Sequence, residues 1–456
     1  MLPNLSQSVF MLGIGGIGMS ALARFLKWHG HHVCGYDRTI SNITRQLSDE
    51  EITITYEWES SPELTNECSV IYTPAIPKEH PVFVQAESLG CLMYKRSQVL
   101  GIIAENYFVI AVAGTHGKTS VTTMITHLLK ETGIDPTAFI GGIANNFNSN
   151  LVIGSSQYLV VEADEFDRSF LTLHPNLLVL TALDPDHLDI YGSPEAMIES
   201  YQQLILQIKP GGTLIASSEI HNALIIPENI TYKTYGESDC HYQYDRIMAD
   251  GIGMRFDFHS EKTQLPNLKL PVAGEHNIRN MTAALAIAET LGVNTETLPS
   301  AIASYKGIKR RFDVVLHTDP ITLIDDYAHH PREIEVTIQA ARRLFPHRQL
   351  VAVFQPHLFT RTRDFQQQFA DALSQADAVI LTHIYPAREK PLPNVTCETI
   401  YDAIRNTVPK YVLNLNHITN ALQTIIQPPA VVLIMGAGDI DSIVLPTQAA
   451  LASLVE

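Results

Sequence analysis

The segment Phe108-Val109-Ile110-Ala111-Val112-Ala113-Gly114-Thr115-His116-Gly117-Lys118-Thr119-Ser120 constrains the fold of this chain most. An apolar, β-branched run stops at Gly114, and Gly117-Lys118-Thr119 opens a stretch where Val121, Met124, Ile125, Leu128 and Leu129 recur at helical spacing. That pattern predicts strand, glycine loop and helix in succession. Loop amides and a helix N-terminus then converge where an anionic phosphate is favoured. Lys118 is expected to reach the outer phosphates of ATP from a solvent-facing position, and the Thr119 hydroxyl to join a Mg²⁺ ion. Val112 stands where the longer phosphate-loop pattern has its first glycine, leaving the shorter Gly-x-x-Gly-Lys-Thr form. Gly114, Thr115, His116, Gly117, Lys118, Thr119 and Ser120 are thus the candidate ATP loop.

At 456 residues, a prior of about 150 residues per domain gives about three domains. The formal charge of −17 argues against a general nucleic-acid binder, which needs a basic face. Cys34, Cys68, Cys91, Cys240 and Cys397 are scattered, without a Cys-x-x-Cys pair, as expected of reduced thiols in a cytoplasmic protein. No basic residue precedes Arg24, so no signal-peptide n-region is expected. No apolar run approaches the roughly 18 residues of a membrane span, so no membrane insertion is expected.

Short apolar strands alternating with helical patterns predict a mostly parallel α/β fold with ligands at the strand C-termini. Three domains are expected, at 1–98, 99–311 and 312–456. The first and third are Rossmann-like. The second has a parallel central sheet, with an antiparallel edge or small antiparallel subsheet over 213–272.

Gly13-Ile14-Gly15-Gly16-Ile17-Gly18 follows the first strand, and Asp37 ends the next. This spacing fits a nucleotide diphosphate on the glycine loop and a ribose on Asp37. It does not separate NAD from a UDP-sugar. Glu162 and His187 each follow an apolar strand on the side of the ATP loop, where a carboxylate, an imidazole and the Thr119 hydroxyl can share a metal; a capping acid and a core histidine are the plainer alternative. Asn277 is either a helix N-cap or an amide that reads a base. Either of Arg310 and Arg311 can steady a transferring phosphoryl group. Asp325-Asp326-Tyr327 and Gln355-Pro356-His357 follow third-domain strands as ligand loops.

In this order the motifs resemble the Mur ligase family: Gly-Ile-Gly-Gly-Ile-Gly-Met-Ser at 13–20, Gly-Thr-His-Gly-Lys-Thr at 114–119, Glu162-Ala163-Asp164-Glu165, Asp186-His187-Leu188-Asp189, His276-Asn277, Arg310-Arg311-Phe312-Asp313, Asp325-Asp326-Tyr327 and Gln355-Pro356-His357. The resemblance spans nearly the whole chain and is strongest to the alanine-adding branch. It implies a UDP-sugar domain, an ATPase domain and a C-terminal domain, and an enzyme that joins L-alanine to UDP-N-acetylmuramate. Lys118, Glu162, His187 and Arg311 would be catalytic, and Thr119, Glu162 and His187 the Mg²⁺ ligands. Arg311 would meet the γ-phosphate, His276 and Asn277 the adenine, and Asp326 the ribose. Gly15, Gly16, Gly18 and Thr73 would line the UDP-sugar site; His330, His357 and Arg361 would stand near the muramoyl and alanine groups. A monomer or homodimer is expected.

Two positions depart from the family. Where other branches carry a carbamylated lysine after the metal histidine, this chain has Gln202, as in the alanine-adding branch. Leu358 follows the Gln-Pro-His histidine where many alanine-adding enzymes have arginine, a contact that Arg361 or Arg363 can partly replace. A relative that attaches a whole tripeptide is the nearest alternative, and an NAD-dependent oxidoreductase a remote one.

Overall fold

The computed structural model describes residues 5–58, 63–184, 191–387 and 389–454. The chain divides into two compact units, Met1–Gly307 and Ile308–Glu456.

The first unit holds two sheets. Strands β1 (Ser8–Leu12), β2 (His32–Tyr36), β3 (Thr53–Thr55), β4 (Ser69–Tyr72) and β5 (Leu92–Lys95) form a five-stranded sheet of order β3-β2-β1-β4-β5. Every pairing in it is parallel. The order reverses at β1, so the loop after β1 sits at the topological switch point where such sheets bind ligands.

The second sheet has ten strands: β6 (Phe108–Ala113), β7 (Thr137–Ala144), β8 (Ser149–Val152), β9 (Tyr158–Glu162), β10 (Leu177–Leu180), β11 (Thr213–Ser217), β12 (Thr231–Gly236), β13 (Tyr242–Asp250), β14 (Gly253–Ser260) and β15 (Gln264–Leu270). Their order is β15-β14-β13-β12-β11-β10-β6-β9-β7-β8. The β6 strand, buried from Val109 to Ala113, pairs in parallel with β9 and β10. That burial on both faces is why its sequence is continuously apolar rather than alternating. The antiparallel strands expected over 213–272 are present as β13–β15, at one edge of the central sheet. A parallel pairing of Tyr235 with Tyr242 and Gly236 with Gln243 joins them to the central sheet.

The two sheets share a core. The helix Ile17–Trp28 lays Phe25 against Phe139 of β7, ring centroids 5.2 Å apart. Buried Asn150 of β8 accepts a hydrogen bond from Arg24 Nη1 (2.7 Å) and donates to Ser20 Oγ (2.9 Å). These contacts fix the first glycine loop relative to the central sheet.

The second unit is a six-stranded sheet of β16 (Asp313–His317), β17 (Ile321–Asp326), β18 (Gln349–Phe354), β19 (Ala378–Leu381), β20 (Lys410–Val412) and β21 (Ala430–Met435), in the order β16-β17-β21-β18-β19-β20. Only β16 runs antiparallel to its neighbour. Among the described residues no helix is long and apolar enough to cross a membrane.

Candidate active site

The loop between β6 and the helix Lys118–Glu131 is held by its backbone. Gly114 has φ +127° and Gly117 φ +79°, both in the region that favours glycine. A β-carbon on Gly114 would collide with Thr181 and the backbone of Ala182, and one on Gly117 would lie 2.9 Å from Asn280 Oδ1. Thr115 N donates to Ala182 O (3.0 Å), the Thr115 hydroxyl accepts from Asp184 N (3.1 Å), and Thr181 Oγ1 donates to His116 O. Thr115 is buried and holds the loop to the end of β10, whereas His116 is exposed beside Asp184.

The Lys118 side chain is not solvent-facing, contrary to the expectation from its motif. Its ammonium donates to Gly114 O (2.6 Å) and to Glu165 Oε1 (2.8 Å), and only 13% of the side chain is exposed. Beside β6 in the sheet, β9 ends in Glu162-Ala163-Asp164-Glu165, and this acidic segment reaches the loop. Thr119 Oγ1 donates to Glu162 Oε1 (3.1 Å), and Gly141 N donates to Glu162 Oε2 (2.9 Å). Burial pushes the carboxyl pKa of both Glu162 and Glu165 up, and the Lys118 charge pulls both back. The Thr119 hydroxyl and Glu162 carboxylate are hard oxygen donors a hydrogen bond apart, which fits a Mg²⁺ ion that keeps most of its waters. His187, the third expected ligand, lies outside the described residues.

A cleft of about 490 Å³ opens beside this acidic segment. Gly13, Gly16, Gly18, Asp37 and Thr73 line one end, and Gly141, Glu162 and Asp164 the other. The cleft therefore runs from the first glycine loop to Glu162, the carboxylate bonded to Thr119 of the second loop. Gly15 lies behind its wall: Asp37 Oδ2 accepts from Gly15 N (2.8 Å) and Asp37 Oδ1 from Thr39 N (3.0 Å). Asp37 thus shapes the glycine loop as well as facing the cleft. Gly16 is the N-cap of the helix Ile17–Trp28, with no side-chain cap and no acid in the first turn, so its amides favour an anion.

The helix Glu275–Thr290 starts at Gly274, with His276 exposed and Asn277 donating from Nδ2 to Ala273 O (2.7 Å). Asn280, which the motif reading passed over, is buried against Gly117. Gln202 lies on the helix Pro194–Leu206 and closes a two-way amide clip with Ile225, at 2.7 and 3.0 Å.

In the second unit the two arginines are not equivalent. Arg310 donates to Gly436 O, stands 3.7 Å from Asp325 and 3.8 Å from Asp441, and stacks over Tyr327. It is spent on the fold, whereas Arg311 is exposed. Asp326 accepts from Phe312 N (2.7 Å) and Ala328 N (2.8 Å), which fastens the segment after Arg311 to the end of β17. His357 stacks on Tyr385 at 5.8 Å and stands 5.9 Å from His329, while His330 packs edge-on against Phe365. Among the described residues Arg361 keeps a buried Nη1 without a hydrogen-bond partner. Arg363 is instead paired with Asp364 in solvent. Leu358 sits at φ +72°, and its N–H donates to Tyr385 O (3.0 Å).

The parallel centre of a mixed sheet presents Gly-x-x-Gly-Lys-Thr to a carboxylate and is joined to a second, glycine-looped parallel sheet, the architecture of a phosphate-loop α/β enzyme. Three family models match it: "Mur ligase family, catalytic domain" over residues 8–108, "Mur ligase middle domain" over 112–288, and "Mur ligase, glutamate ligase domain" over 310–438. The chain belongs to the Mur ligase family and has its three-domain architecture. It is 43% identical over 448 residues to the UDP-N-acetylmuramate–L-alanine ligase of Phocaeicola vulgatus, with 97% of each chain covered. It is 42% identical over 460 residues to that of Porphyromonas gingivalis, covering 98% of this chain and all of the relative. The solved UDP-N-acetylmuramate-alanine ligase of Thermotoga maritima superposes with a TM-score of 0.83 at 27% identity, over 98% of this chain and 99% of that one. A murein peptide ligase from Psychrobacter arcticus shares the fold, with a TM-score of 0.70 at 24% identity over 98% and 99%.

Proposed function

We propose that this protein is a cytoplasmic ATP-dependent ligase, a monomer or homodimer, that joins L-alanine to the lactyl carboxylate of UDP-N-acetylmuramate. The observation that carries this reading is the single cleft running from Gly13, Gly16 and Gly18 to Glu162. A UDP-sugar on the first loop has its acyl end directed toward the acid beside the ATP loop. The domains are taken as 1–98, 99–311 and 312–456.

A lactyl carboxylate oxygen attacks the γ-phosphorus of ATP; the bond to ADP breaks, and an acyl phosphate forms. The uncharged alanine amine attacks the acyl carbon, and the tetrahedral intermediate expels phosphate as the amine gives up a proton. Lys118 and Arg311 oppose the charge on the transferring phosphate, a stabilisation made at the transition state. Thr119, Glu162 and His187 would hold Mg²⁺, which supplies further positive charge at the phosphates. His276 and Asn277 are assigned to adenine, Asp326 to ribose, and Gly15, Gly16, Gly18, Asp37 and Thr73 to the UDP moiety. His330, His357 and Arg361 are assigned to the muramoyl and alanine groups. The buried, unpartnered Nη1 of Arg361 supports it over Arg363 for an anionic ligand.

Calorimetry tests the first of these sites. UDP-N-acetylmuramate should bind and NAD should not. A β-carbon at Gly16 meets nothing closer than 3.4 Å within the protein, so Gly16→Val should fold and raise the KM for the UDP-sugar much more than that for ATP. Tight NAD binding without UDP-sugar binding would overturn the assignment.

A further inference from the structure

We infer that Arg96 is the side chain that binds the diphosphate of the nucleotide-sugar, held in place for it by Asp164. This inference rests on the functional reading above and adds a residue to its site.

The cleft is lined by three carboxylates, Asp37, Glu162 and Asp164, and among its described lining residues Arg96 is the only basic one. A diphosphate entering such a cavity meets net negative charge unless a cation answers it. Arg96 opens the helix Arg96–Ala104, directly after β5. Its guanidinium lies over Gly18, in the first turn of the uncapped helix Ile17–Trp28: a β-carbon at Gly18 would be 3.1 Å from Nη1 and 3.3 Å from Cζ. Helix amides and a guanidinium therefore face the same space. The planar fork of arginine suits paired phosphate oxygens better than a point charge does.

Asp164 sets the orientation. Its Oδ2 accepts from Arg96 Nη2 at 3.0 Å, and it also accepts from Phe166 N at 3.0 Å. The Arg96 side chain is 18% exposed and that of Asp164 43%. The pair thus points the fork into the cleft while leaving the acid hydrated enough to be displaced by a phosphate. Each acid of the 162–165 segment then holds a group of one ligand site: Glu162 holds Thr119, Glu165 holds Lys118, and Asp164 holds Arg96.

The test compares binding of UDP-N-acetylmuramate, UDP and uridine to the full-length protein, with melting temperature as a fold control. Arg96→Gln should weaken UDP and UDP-N-acetylmuramate by about tenfold or more, the loss of a charge-assisted contact. It should leave uridine within about twofold, because uridine lacks the phosphates. Arg96→Lys should recover part of the loss, and Asp164→Asn should bind UDP as tightly as the parent or more tightly. The inference is overturned if Arg96→Gln binds UDP normally, or loses uridine as much as UDP. The positioning role of Asp164 is overturned if Asp164→Ala, which removes the acceptor of Arg96 Nη2, binds UDP as tightly as the parent. A wild-type protein that binds neither UDP nor UDP-N-acetylmuramate would overturn the functional reading along with it. Binding by the wild type with no effect of Arg96→Gln would overturn this inference alone.

Discussion

Lys118 and Glu162 are each held by partners that their motifs do not reveal. The loop and helix start that place Lys118 were legible because glycine loop, helix start and lysine are contiguous in sequence. Its pairing with Glu165 across the strand end was not, because it depends on how β6 and β9 align. Lys118→Ala should therefore do two things. Turnover should fall by on the order of 10²-fold or more through lost transition-state charge stabilisation. Stability should also fall, by about 2 kcal/mol, because buried Glu165 loses its cation; proton uptake by that carboxyl limits the cost. Steady-state kinetics and thermal melting read the two effects separately, and near-wild-type turnover would contradict the assigned role. Glu162→Ala should fold and demand far more Mg²⁺ for half-maximal activity, since a hard oxygen ligand is removed from a mostly hydrated ion. An unchanged Mg²⁺ titration would displace the metal from Glu162.

The elements most legible in the sequence are those whose burial imposes a simple pattern. The strands β1, β2, β4, β6, β9 and β10 read as short apolar runs, and the glycine loops that follow β1 and β6 read as breaks. The β7–β8 hairpin was missed because Gly141-Gly142 interrupts its apolar run and its burial does not alternate, yet it delivers the Gly141 amide to Glu162. The continuity of β11–β15 with the central sheet rests on backbone pairing, which leaves no side-chain periodicity to read. Similarly, the basic pair at 310–311 looked interchangeable until β17 and β21 surrounded one of them. Burial pushes the Asp325 carboxyl up to about 7, with Asp313, Asp326 and Asp441 adding to the shift and Arg310 opposing it. A carboxyl raised above its unfolded value of about 3.9 stabilises the fold while protonated and loses that contribution as pH rises through its folded value. Asp325→Asn cannot titrate, so it should gain stability relative to the parent between about pH 5 and pH 8. Denaturant unfolding at both values measures this, and a constant difference between the two proteins would contradict it.

At the scale of the whole molecule, the ordered set of motifs made the family legible from the chain alone, because most of them fall where an apolar strand pattern breaks off. The full-length similarity to alanine ligases, at 43% and 42% identity, agrees with that reading. What the chain did not reveal is that the first two sheets form one unit sharing a cleft, since this depends on Phe25, Phe139 and Asn150 meeting across it. Gln202 belongs to the same lesson: its absence of a lysine side chain was legible, but its clip to Ile225 was not. The central claim is that the protein couples ATP cleavage to amide formation between two named substrates. Phosphate release from ATP and Mg²⁺ should be slow with UDP-N-acetylmuramate alone or L-alanine alone and fast with both, with UDP-N-acetylmuramoyl-L-alanine formed in equal amount. Phosphate release that ignores either substrate, or that proceeds only with a tripeptide in place of alanine, would contradict it.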